Sequence, residues 1–164
     1  MTSQSNELQQ QFKVLLDKYL GNRPDAFQWV MSFWRLGHTI DDIIDIPERR
    51  ADNTFLLATF NAYIDVLSSP FYHRYLARLY PIVKEVHHIY CDSVAWENSD
   101  VAWKASFADT YRCSGSALIV AIVEVIVSEE TGSYELAFEA GREVSLLAKE
   151  AAYHAHHTES GEKV

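Results

Sequence analysis

Glycine and proline are scarce in this chain of 164 residues, at six and four. So small a supply of turn and breaker residues excludes a strand-and-turn architecture. With 48% hydrophobic and 13% aromatic residues, disorder is excluded as well, which leaves an all-α globular protein. Cysteine is nearly absent. Cys91 and Cys113 lie in segments of helical pattern without CxxC spacing, so a disulfide scaffold is excluded and a reduced, cytoplasmic protein is expected. Basic residues are few, 14 against 23 acidic ones, for a net charge of −9. That balance argues against nucleic acid or an anionic membrane surface as the main partner, because both need clustered Lys and Arg.

No long apolar run is present either. The most apolar stretch, "ALIVAIVEVIV" from Ala117 to Val127, is about half the length that spans a bilayer and contains Glu124. It reads as a core helix, and membrane insertion is not expected. The opening "MTSQSNELQQQF" lacks the basic-then-apolar profile of a signal peptide. Signatures of Ser/His/Asp catalysis and of a glycine-rich phosphate loop are missing too.

What is present is apolar spacing near three and four residues along the whole chain. It predicts a single domain, residues 1–164, built as a bundle of about six helices. The first runs from about Glu7 to Leu20, with Leu8, Phe12, Leu15, Leu16 and Tyr19 on one stripe. The second runs from Pro24 to Ile46, where Pro47 ends it. The third spans about Asn53 to Leu67, with Leu56, Phe60, Ile64 and Leu67 expected to face inward. The fourth covers Pro70 to Glu97, broken or kinked at Pro81. A fifth is expected from Asp100 to Glu129 with a flexure at Gly115. The sixth is capped by Ser133 and reaches about Ala155, and the tail from 156 onward is expected to fray.

The second helix carries an unusual end, "GHTIDDIIDIPERR" (residues 37–50). His38, Asp41, Asp42 and Asp45 stand at i, i+3, i+4 and i+7, on one face over two turns. Phe33, Gly37, Ile40, Ile43 and Ile44 lie beside them, which implies a helix buried on most of its circumference and carboxylates that point into a cleft. Acidic groups in the last turns oppose the helix dipole at about 0.3 to 1 kcal/mol each. Like-charge contacts at i,i+4 add about 0.2 to 0.5 kcal/mol. The cost calls for a cation. Arg49 and Arg50 can supply it by folding back over the helix end, onto its carbonyls and onto Asp45 or Asp41. A bound Mg²⁺ can supply it equally, since this ion prefers carboxylate oxygens and shares phosphate oxygens from a substrate, which the two arginines would grip.

The run Asp41-Asp42-Ile43-Ile44-Asp45, followed after "IPE" by Arg49-Arg50, resembles the first aspartate-rich motif of the trans-isoprenyl diphosphate synthases. Squalene and phytoene synthases and class I terpene cyclases share a similar helix end. The resemblance covers about 14 residues. It implies an all-helical fold, Asp41, Asp42 and Asp45 as Mg²⁺ ligands, Arg49 or Arg50 on a diphosphate, and an isoprenoid-like substrate. Residues 51–164 hold neither a second DDxxD nor an Asn/Ser/Glu spacing of i, i+4, i+8, and the chain is shorter than those enzymes, so the implied bundle is a reduced one.

A facing helix would have to supply further ligands. In "EVHHIYCDS", Glu85, His88 and Asp92 can share a face, with Asp92 the candidate metal ligand and His88 in support, as His38 supports the first stripe. Asp92 serves equally well as a hydrogen-bond acceptor near Trp96. In "ADTYRCSGS", Asp109 and Arg112 form either a local ion pair or, through Arg112, an anion site beside the metal. Two functions therefore stand: Mg²⁺-dependent binding of a diphosphate compound in an acidic helical cleft, with its turnover left open, or a non-catalytic assembly or regulatory protein whose stripe pairs with basic groups or a partner. A homo-oligomer is compatible with both.

Overall fold

A computed structural model describes the backbone of residues 3–160, and side-chain surroundings for residues 10–150 apart from Asp109, Cys113 and Gly115. Among the described residues every regular element is helical: α1 (Ser3–Leu20), α2 (Pro24–Asp45), α3 (Asn53–Ser68), α4 (Pro70–Glu97), α5 (Ala102–Arg112), α6 (Ala117–Thr131) and α7 (Tyr134–Ser160). Short 3-10 turns cover Pro47–Ala51 and Cys113–Ser116. The all-α expectation holds. The expected fifth helix is in fact two, α5 and α6, parted at "CSGS", where serine and glycine are weak helix formers. Gly132 closes α6 at φ 67°, a left-handed residue that glycine adopts without cost, and Ser133 Oγ accepts the N–H of Leu136 at the start of α7. Helix α7 continues to Ser160, past its expected end at about Ala155, and the rest of the tail expected to fray, residues 161–164, lies outside the described residues.

Contacts divide the chain into two compact units, residues 1–20 with 77–164 and residues 21–76. The boundary falls inside α4. Pro81 sits in that helix without breaking it, and the N–H it lacks is the one that would bond the carbonyl of Ala77.

In the larger unit α6 packs on α7, and α1 on both. Leu118, Ile122, Val123 and Ile126 of α6 are fully buried, against Ala137, Ala140 and Val144 of α7. Phe12, Leu15, Leu16 and Leu20 give α1 its inner face; the side chain of Leu8 lies outside the described residues, and Tyr19 is half-buried. Small residues let the α7 backbone come close. A Cβ added to Gly141 would stand 2.5 Å from Oε1 of Glu124, the one charged residue within the apolar run of α6. Lys18 Nζ reaches Glu143 at 2.8 Å, joining α1 to α7, and the Tyr19 hydroxyl donates to the same carboxylate.

The smaller unit is built on Trp29, 2% exposed, whose Nε1–H donates to the Val66 carbonyl at 2.9 Å. Its ring stacks on Phe33 and Tyr72 at centroid distances of 5.5 and 5.3 Å. Asp52 caps α3, its carboxylate accepting the N–H groups of Thr54 and Phe55. The inner face of α3 differs from the expected one. Ala62 and Val66 are buried, while Phe60, Ile64 and Leu67 are exposed and Leu56 is half-buried. Helix spacing alone allows either face to turn inward, and here the small residues win because they let α3 sit close to Trp29.

Candidate functional site

The end of α2 forms as its sequence suggests. Pro24 starts the helix, and at its close the Ile46 N–H bonds the Asp42 carbonyl before Pro47 turns the chain. His38 and Asp45 are exposed; Asp41 and Asp42 are half-buried. This half of the helix is not enclosed. Ile40 and Ile46 are 36% and 38% exposed, and Ile43 and Ile44 half-buried, so the expectation of a helix buried on most of its circumference is corrected. The buried aromatic side chains of this unit gather at Trp29, near the start of α2 and away from its end.

Arg50 folds back over that end. Its Nε–H donates to the Ile43 carbonyl at 2.9 Å and a terminal nitrogen donates to the Ile44 carbonyl. Two carbonyls that the helix leaves unpaired are thus satisfied by a cation placed where the dipole is negative. Arg49 lies over the Phe55 ring at 4.6 Å and stands 3.9 Å from Asp52. Neither arginine pairs with Asp42 or Asp45, and among the described residues those two carboxylates have no hydrogen bond or ion pair. His38 is tied within its own helix, its Nε2 accepting the Trp34 indole N–H.

The other candidates belong to the larger unit. Glu85, His88 and Asp92 are exposed on α4. Arg112 is engaged at the end of α5: its Nε–H donates to Ser93 Oγ at 3.1 Å, a terminal nitrogen reaches Glu97, and the guanidinium lies 5.3 Å from the Tyr90 ring. Ser93 is fully buried and its own hydroxyl donates to the Tyr90 carbonyl. This clamp between α4 and α5 escapes a reading by sequence, because Arg112 lies 15 and 19 residues from Glu97 and Ser93, which carry no motif. The side chain of Asp109 lies outside the described residues.

Among the described residues no three His, Cys, Asp or Glu side chains gather closely enough to cage a metal ion. The stripe still fits Mg²⁺ of the phosphate-bound kind, which takes only one or two carboxylates from protein and the rest of its oxygens from phosphate and water. Compared with protein-family models, curated proteins and solved structures, the chain matches none.

Proposed function

We propose that the end of α2 binds Mg²⁺ together with a diphosphate compound. One observation carries this reading: Asp42 and Asp45 stand at the negative end of a helix with no cation of the described residues on them, while Arg49 and Arg50 sit within one turn of the same end. Asp41, Asp42 and Asp45 would hold the ion. It would neutralise charge on the diphosphate and, in a turnover reaction, on the leaving group. Arg49, already on the surface, would add a second cation to the phosphate oxygens, and the resemblance at residues 37–50 points to an isoprenoid-like substrate.

A second reading is favoured by Arg50. Its guanidinium is committed to backbone carbonyls, as in a helix end that is simply neutralised by its own chain. The protein would then be a non-catalytic helical assembly or regulatory component whose carboxylates meet basic groups of a partner.

Thermal unfolding with and without millimolar Mg²⁺, alone and with pyrophosphate, separates the two. Ligand at about a hundred times its dissociation constant adds about 2.7 kcal/mol, and so raises Tm by about 5 to 10 °C. Asp42→Asn should abolish that shift while slightly stabilising the ligand-free protein. A wild type indifferent to Mg²⁺ and pyrophosphate, or a shift retained in the variant, would sink the metal reading.

A further inference from the structure

We propose that the outer face of α3 joins two copies of this chain. Leu57, Phe60, Ile64 and Leu67 follow at spacings of three, four and three, the a/d rhythm of a coiled-coil seam. All four are exposed, Leu57 at 64% and Phe60 at 59%. The opposite face of α3, with Ala62 and Val66, is the one that packs inside its own unit. Positions flanking the seam, where charged side chains ordinarily choose the partner, hold Thr54, Leu56, Asn61, Tyr63 and Ser68. None is charged. Asp65 is the single charge among the sixteen residues of α3, and it lies outside both seam and flanks.

This absence of charge selects the occupant. A basic helix or a nucleic acid would find almost nothing on the seam to pair with, and an interface centre is depleted of charge in any case. Two copies with a net charge of −9 each repel one another, and they approach most easily where carboxylates are missing. The exposed apolar pairs of α5 and of the start of α7 do not offer such a face: Trp103 and Phe107 flank Lys104, and Leu136 and Phe138 stand among Glu135, Glu139 and Arg142. Like therefore meets like.

The pair is antiparallel. A parallel arrangement would set the two acidic α2 ends side by side, because α3 begins just after that end. An antiparallel one parts them by about 24 Å, the length of sixteen helical residues, well beyond the Debye length of about 8 Å. A two-fold axis through the middle of the seam then sets Leu57 against the partner's Leu67 and Phe60 against the partner's Ile64. The seam is only three turns long and smaller than a standard interface, so pairing is weak and depends on concentration.

Sedimentation equilibrium of the full chain tests this. The expected result is a mass that climbs from 18.8 kDa toward twice that value with concentration. Phe60→Glu should weaken pairing at least about tenfold with its helical circular dichroism unchanged, since Phe60 takes no part in its own unit's core. Ile64→Lys should do the same, and mixing the two variants should restore pairing, because the register brings the new charges together. A wild type that remains monomeric, association unaffected by Phe60→Glu, or a mixture that remains monomeric overturns the proposal. Asp42→Asn leaves pairing unchanged, so the metal reading stands or falls separately.

Discussion

Glu124 is the residue most at odds with its surroundings. It interrupts an apolar helix, its carboxylate lies against the Cα of Gly141, and burial pushes its pKa above the ordinary carboxylate value. The folded state then holds a proton that the unfolded chain has already released, so stability falls as pH climbs from the unfolded value through the raised one. Glu124→Gln should stabilise the protein at pH 7, and the gain should vanish below about pH 4, where the unfolded carboxyl is protonated too. Urea midpoints across pH measure it; a gain that persists at low pH would mean the charge is not the cause. Glu143 works in the opposite direction. Hydrogen bonds from Lys18 and Tyr19 hold its pKa low, so its contribution is present above the unfolded value and is lost on acidification.

Helix ends and helix faces carry the next set of consequences. Arg50→Ala leaves the Ile43 and Ile44 carbonyls to water and removes a cation from the end of α2. A cost of about 1 to 2 kcal/mol follows, read as a lower thermal midpoint. An unchanged midpoint would show that water replaces the guanidinium without loss. Trp29→Ala should be far worse, about 3 to 5 kcal/mol, because it opens a cavity among Phe33, Phe71 and Tyr72 and frees the Val66 carbonyl. Helix limits were largely readable in advance: Pro24, Pro47, Gly132 and Ser133 act through backbone chemistry within one turn. The split of α5 from α6 was less so, since Gly115 signalled a flexure without saying that the helix would stop.

For the molecule as a whole, charge decides how copies interact. With −9 on each chain, raising salt from about 20 to about 200 mM shortens the reach of repulsion from roughly 20 Å to under 10 Å. Association through the α3 seam should therefore tighten with salt. Sedimentation at the two ionic strengths measures this, and pairing that weakens with salt would point to ion pairs in place of the apolar seam. The division into two compact units left no mark in composition, because its boundary lies inside α4 and not in a linker rich in Gly, Ser or Pro.

Helical class, most helix limits and the acidic stripe with its two arginines were determined by the sequence alone, because they depend on interactions spanning four residues or fewer and on the chemistry of single side chains. Only the tertiary structure decided which side of α3 turns inward, that Arg50 takes the carbonyls of α2 in preference to its carboxylates, and that Ser93, Glu97 and Arg112 hold α4 and α5 together. The first and last of these depend on groups that come close across 15 to 37 residues of chain, and the second on a choice between two acceptors that the sequence offers equally. Phe60 and Ala62 illustrate the difference: each is an acceptable core residue by its own chemistry, and the close fit of Trp29 against Val66 settles which one is covered.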